Sequence, residues 1–274
     1  MIRNARAAFL VTLAAASLAA CAGDREELAY VERPVEPIYL AAYDELQDGN
    51  YPLAVALFDE VERQHPYSEW ARRAMLMAAY ANYADNEYDA AIDKAQSFLS
   101  LHPGNEAAPY AYYLIAQSHF ERITDVGRDQ SSTLQALEAW RQVVRRYPDS
   151  DYARDARLKV DMSLDQLAGK EMDVGRWYLR NGHTLAAIGR FKTVIDNYQT
   201  TSHAEEALHR LVEAYVQLGV VEEATQVASV LGHNYPGGRW YEDTYGLLQN
   251  VGAQPQGQEP PPSGFLGRTI GRIF

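Results

Sequence analysis

The sequence predicts an all-α solenoid of about five helix pairs, and three observations carry that prediction. A tight turn followed by a helix recurs at residues 49–54, 86–91, 182–187 and 219–224. Twelve residues after each helix alanine comes a stop: Pro66 after Ala54, Pro103 after Ala91, Pro148 after Ala136 and Pro236 after Ala224, with Gln199 in that place after Ala187. Proline removes a backbone donor and clashes with the preceding turn, so it ends a helix mechanically. Between alanine and stop the apolar residues fall at helical spacing, as in Ala54, Leu57, Phe58 and Val61, or Ala187, Phe191, Val194 and Ile195. Strand signals are nearly absent, because short β-branched runs such as Gln142-Val143-Val144 lie inside helical patterns.

The first 20 residues read as an address. Arg3 and Arg6 form a positive head, a short apolar stretch follows, and Leu18-Ala19-Ala20-Cys21 resembles the bacterial lipobox. Cleavage before Cys21 makes that residue the lipidated N-terminus and shifts the net charge from −12 to −14. At about 0.8 kcal/mol per buried methylene, two or more acyl chains anchor a protein with no help from a peptide span. The apolar run over residues 7–20 falls short of the roughly 20 residues a membrane helix needs. Ala22 after the cysteine favours outer-membrane sorting by resemblance to enteric lipoproteins. Residues 21–33 are then a tether.

Residues 34–250 hold the solenoid. First helices precede the turns, marked by Ile38, Ala41, Ala42 and Leu46, by Met75, Ala78, Ala79 and Asn82, and by Leu208, Leu211, Val212 and Tyr215. The small residues allow close helix approach. The pattern resembles the tetratricopeptide repeat, a superhelical solenoid with a nominal period of about 34 residues. Here the alanines stand 37, 45, 51 and 37 residues apart. The 45-residue step reflects a polar insert over 121–133, with Arg128 and Asp129 as an exposed charged pair suited to a partner contact. The 51-residue step reflects an extra helical stretch over 152–168 ahead of residues 171–180.

Residues 251–264 read as a Gly, Gln and Pro linker too poor in apolar groups to pack. The tail over 265–274 places Leu266, Ile270, Ile273 and Phe274 on one helical face and Arg268 with Arg272 on another, a pattern for docking a partner. Disorder is the alternative for so short a segment with two glycines.

Composition narrows function by exclusion. With 47% hydrophobic and 23% charged residues and a single cysteine, the chain is neither disordered nor a disulfide or zinc scaffold. The acidic balance argues against nucleic acid, which needs a basic footprint. The seven histidines form no metal-ligand spacing, and no nucleophile elbow, Walker or dinucleotide motif occurs, so neither an enzyme nor a cofactor is implied. His65 and His102, each just before a proline, read as helix C-terminal caps.

Longer segments carry a closer resemblance. His65-Pro66-Tyr67-Ser68-Glu69-Trp70-Ala71, residues 146–156, Glu171 with Trp177-Tyr178-Leu179-Arg180, and Ala186-Ala187-Ile188-Gly189-Arg190 resemble the BamD or ComL family of outer-membrane assembly lipoproteins. The similarity covers roughly residues 20–245, with Gly175 where the family usually has Ala. It implies a periplasm-facing scaffold, lipid-anchored in the outer membrane, that works with the barrel insertase BamA and other assembly lipoproteins on unfolded β-barrel proteins. Repeat anchors then place Tyr39, Tyr43, Tyr80, Tyr83, Tyr110 and Tyr113 on the inward face of the first three pairs. Tyrosine offers a rigid apolar ring with a polar tip, suited to gripping an extended aromatic-rich peptide. Packing between helices is the other reading of these rings. A different function class, a lipoprotein adaptor for peptidoglycan hydrolases, would share the anchor and the helix pairs.

Overall fold

The computed structural model describes residues 33–125 and 128–256. Cys21, Arg268, Arg272 and the signal and tail segments lie outside the described residues. Among the described residues the chain is helical with no strand, and it divides into two compact units, one ending at Leu101 and the other beginning at His102.

The first unit holds α1 (Val35–Gln47), α2 (Tyr51–Gln64), α3 (Glu69–Ala84) and α4 (Tyr88–Leu101). The second holds α5 (Ala108–Glu121), α6 (Ser131–Arg146), α7 (Asp151–Arg180), α8 (Thr184–Asn197), α9 (Ala204–Gln217), α10 (Val221–Asn234) and α11 (Arg239–Asn250). Within each unit, consecutive helices pack side by side.

Three buried positions recur on every second helix. Ala54, Phe58 and Val61 of α2 are matched by Ala91, Ala95 and Phe98 of α4, Ala136, Trp140 and Val143 of α6, Ala187, Phe191 and Val194 of α8, and Ala224, Ala228 and Leu231 of α10. All fifteen are 0% exposed. Positions i, i+4 and i+7 share one face, and the initial alanine admits the neighbouring helix closely. Where the middle position shrinks to Ala95 or Ala228, the third carries a larger Phe98 or Leu231, which keeps the interhelix space filled.

The turns repeat as faithfully. Gly49, Asn86, Gly182 and Gly219 have φ of 77°, 63°, 76° and 76°, the left-handed region that closes a helix with a Schellman bond. The closing bonds are Asn50 N–H to Glu45 O, Glu87 to Asn82, His183 to Tyr178 and Val220 to Tyr215, all 2.9–3.0 Å. The third pair replaces this turn with the insert. Its start is fastened, since Ile123 packs on the Trp140 cluster and the Thr124 carbonyl accepts from Gln166 Nε2 at 3.3 Å.

At the far end of the first and third pairs Ser68 and Ser150 cap the next helix, accepting from the N–H of Ala71 and Ala153 at 3.0 and 3.1 Å.

Three features differ from the sequence reading. The stretch 152–168 is not a separate helix: α7 runs 30 residues without a break, because no proline or left-handed residue interrupts it. After the Pro236-Gly237-Gly238 turn comes α11, which ends on Gly252 at φ 71° with Ala253 N–H bonded to Leu248 O. It therefore closes as the first helices do, and behaves as the first half of an unfinished sixth pair. The start of the expected linker also packs: Ala253 lies on the Val212, Ala224, Ala228 and Leu248 cluster, Pro255 is buried, and Gln256 N–H bonds Ser229 Oγ at 2.8 Å.

Candidate functional site

The six tyrosines separate by environment. Tyr39 of α1 is half-buried against Phe58 and Trp70, at ring distances of 5.5 and 4.9 Å, and burial pushes its hydroxyl pKa up. Tyr43, one helical turn further along, is 41% exposed. Tyr80 of α3 is 38% exposed and leans on Tyr83, which in turn meets Tyr88. In the second unit Tyr110 and Tyr113 of α5 both contact Tyr152 of α7, and Tyr113 also meets Trp140 edge-on and donates to Asp155 Oδ2 at 2.8 Å. Thus Tyr39 and Tyr113 join helices, while Tyr43 and Tyr80 present rings to solvent.

Arg128 and Asp129 are both exposed and do not pair with one another. The Asp129 carboxylate accepts from Ser131 Oγ at the start of α6, and that bond holds its pKa below the usual carboxylate range. His65 stands at the C-cap of α2, its N–H bonded to Val61 O at 3.0 Å, and its ring reaches across to the Arg33 carbonyl at 2.8 Å. Gln64 completes the clasp by accepting from Arg33 N–H at 3.0 Å, and buried Glu60 orients Gln64 by accepting from its amide. Arg63 binds the same carboxylate through two bonds of 2.6 Å, and this contact is the main reason its pKa is lowered. The Arg33 backbone is therefore fixed at the end of α2.

Two sequence segments that are far apart meet in the second unit. Glu171 of α7 and Arg190 of α8 pair at 3.0 Å, and Tyr178 adjoins the same guanidinium. Close to them, Gly175 faces Phe191: a Cβ there would lie 2.5 Å from the Phe191 ring. A methyl group at position 175 therefore does not fit without displacing that ring.

Sequence reading missed two arrangements. The first joins α9 to α11: buried His209 holds Thr244 Oγ1 through Nδ1 at 2.7 Å and lies 5.0 Å from the Trp240 ring. The second is an ion network across α7 and α9, with Arg176 bound to Asp173 and Glu206, and Arg210 bound to Glu206 and Glu213. The short-range partners had a signal, the i, i+3 and i, i+4 charge spacing; the bonds between helices had none. No cluster of metal-ligating side chains occurs among the described residues.

A family model described as outer membrane lipoprotein, YfiO, matches residues 31–231. The chain belongs to this family. It is 57% identical over 264 residues to the outer membrane protein assembly factor BamD of Caulobacter vibrioides, covering 96% of this chain and 86% of that protein. The protein of the same name from Rickettsia prowazekii is 43% identical over 79% of this chain and 86% of its own length. That of Neisseria meningitidis serogroup A is 35% identical, over 80% and 88%. Among solved structures the chain is similar to the TPR domain of P58(IPK), with TM-score 0.40, 13% identity and coverage of 87% and 65%. It is also similar to the TPR2AB domain of yeast Sti1, with TM-score 0.42, 12% identity and coverage of 79% and 84%.

Proposed function

We propose that this protein is a non-enzymatic scaffold for assembly of β-barrel proteins in the outer membrane. The observation that carries the reading is the family match over residues 31–231, together with relatives named as outer membrane protein assembly factors. Residues 1–20 serve as a lipoprotein signal, Cys21 carries the lipid, and the protein faces the periplasm from the outer membrane. The clasp on Arg33 supports residues 21–33 as a tether, since it gives the lipidated segment a fixed point of departure. Its partners are a BamA-like barrel insertase, companion assembly lipoproteins and unfolded barrel proteins. Tyr43 and Tyr80 are the rings best placed to receive an extended segment in the first unit, with Tyr39 and Tyr83 beside them, and Tyr110 and Tyr113 are the corresponding groove tyrosines of the second unit. Arg128, Asp129, Arg268 and Arg272 are contacts for other members of the assembly.

Nothing favours the hydrolase-adaptor reading, since the relatives are named for assembly of outer membrane proteins. The test is crosslinked affinity purification of the lipidated protein from its own envelope, with the mass of the Cys21 peptide measured on the same sample. Recovery of a large barrel protein with periplasmic repeats, and a triacylated Cys21, is the expected result. Recovery of wall hydrolases without that barrel protein would overturn it.

A further inference from the structure

The two ends of the first unit differ in charge. At the turn end Asp44, Glu45, Asp48, Asp85, Glu87 and Asp89 stand with no cation among them. At the opposite end, where α2 and α4 finish and α1 and α3 begin, Glu36, Glu60, Glu62 and Glu69 are balanced by Arg33, Arg63, Arg72 and Arg73. One end is thus strongly acidic and the other close to neutral.

The neutral end also carries the most exposed large apolar side chain of the described residues, Tyr67, at 96%. Leu101, the last residue of α4, is 62% exposed at the same end. The turn that bears Tyr67 is well bonded. Ser68 N–H and Ser68 Oγ both donate to the His65 carbonyl, at 3.0 and 2.8 Å, and Ala71 N–H donates to Ser68 Oγ. Arg73 lies 5.6 Å from the Trp70 ring centre and has no ion pair among the described residues, which leaves its guanidinium able to take a phosphate. A single exposed ring is ordinary on a protein surface. What distinguishes Tyr67 is its place, two and three residues from the His65 and Gln64 that hold the Arg33 main chain. Twelve residues, 22–33, lead from Cys21 to that clasp. Even fully extended, at about 3.5 Å per residue, they span only about 40 Å, so the Tyr67 end is the one tied nearest the lipid.

We infer that this end of the first unit rests on the lipid surface that holds the acyl chains of Cys21, with the Tyr67 ring at headgroup depth and Leu101 beside it. The inference rests on Cys21 being lipidated. Tyrosine suits that depth because its ring is apolar while its hydroxyl stays with water and headgroups. Arg73 meets lipid phosphate from the same end. The six carboxylates of the turn end favour the same orientation, since an anionic leaflet repels them. Acyl chains alone fix where the protein is; this contact fixes which way the unit faces.

The experiment places the full lipidated chain in vesicles of phosphatidylethanolamine and phosphatidylglycerol. Cys21 is the sole cysteine, and its sulfur is closed as a thioether once lipidated. A nitroxide label therefore reports only on Tyr67→Cys, Leu101→Cys or Asp85→Cys, each made singly. Power-saturation EPR compares collisions with oxygen, which partitions into lipid, and with a polar nickel chelate, which does not. The oxygen-to-nickel ratio is expected to be about fivefold higher at 67 than at 85, with 101 between them. Adding Tyr67→Ser to Leu101→Cys should lower the ratio at 101 by about half. Equal ratios at 67 and 85, in chains that float with the vesicles, overturn the inference and leave the anchor standing. An unchanged ratio at 101 overturns Tyr67 as the inserted group. An unsubstituted chain that takes up label at Cys21, or fails to float, overturns the anchor, and the inference falls with it.

Discussion

Single residues set tolerances that a pattern of hydrophobicity does not record. At position 175 a methyl group would need to enter the Phe191 ring, which is itself fully buried between α7 and α8. Overpacking of this kind costs about 1–3 kcal/mol. Gly175→Ala is therefore expected to lower the urea midpoint at an unchanged m-value, and Gly175→Ala with Phe191→Leu should recover part of the loss. Glu60 sets a different tolerance. Its carboxylate is held ionised by Arg63, with Gln64 as a further donor, and that arrangement in turn presents Gln64 to Arg33. A carboxyl whose folded pKa lies below its unfolded value stabilises the native state above the unfolded pKa, near 4.3, and that stabilisation fades as pH falls through the folded value. Acid titration from pH 6 to 3 should thus show a steeper loss of stability in the wild type than in Glu60→Gln. Above pH 5 the variant should be the less stable of the two.

At the scale of helices, α11 depends on contacts with α9 and α10 and terminates the described fold. His209 and Thr244 make the polar bond in this contact, and both are buried. Burial lowers the His209 pKa first and Arg210 second, while Glu213, Asp243 and Glu206 oppose the shift. Neutral His209 is thus the native form. Its contribution is complete above the unfolded pKa of about 6.5 and shrinks as pH falls from there toward the folded pKa. Amide exchange in α11 is expected to speed up between pH 7.5 and 5.5, after correction for intrinsic rates, more than exchange in α2. His209→Gln should flatten that difference. If α11 protection has the same pH dependence in both proteins, His209 does not control the contact.

The same helix shows what a sequence reader sees and misses. The second helices were legible because their buried stripe repeats in all five pairs, and the left-handed turn and the proline stop in four pairs each. The signal in α11 is only its closing Gly252, since its buried face is Tyr241, Thr244 and Leu248 rather than an alanine stripe. Its N-terminus is hidden too. Gly238 stands where Ser68 and Ser150 cap their helices, and the Glu205 carboxylate, whose pKa burial raises, lies against the Trp240 N–H instead. The ion network of Arg176, Glu206 and Arg210 was equally unreadable, because its decisive bond joins residues 30 apart on different helices.

For the whole molecule, the question is which aromatic rings hold the fold and which are free for a partner. Sequence position treats the six tyrosines alike, whereas their surroundings do not. Tyr39 and Tyr113 fill interhelix space, so Ala at either site leaves a cavity and should destabilise the protein by about 2 kcal/mol or more. Tyr43 and Tyr80 expose much of their rings, and truncating both should move the thermal midpoint little. A peptide ending in an aromatic barrel-type segment provides the matching measurement, because ring-on-ring contact persists at high salt while charge pairing is screened. The Tyr43→Ala, Tyr80→Ala double variant is expected to bind that peptide at least fivefold more weakly at 0.5 M salt, with its stability retained. Unchanged affinity in a folded double variant would assign substrate capture to another surface. A loss seen only with Tyr39→Ala or Tyr113→Ala would trace the effect to unfolding instead of recognition.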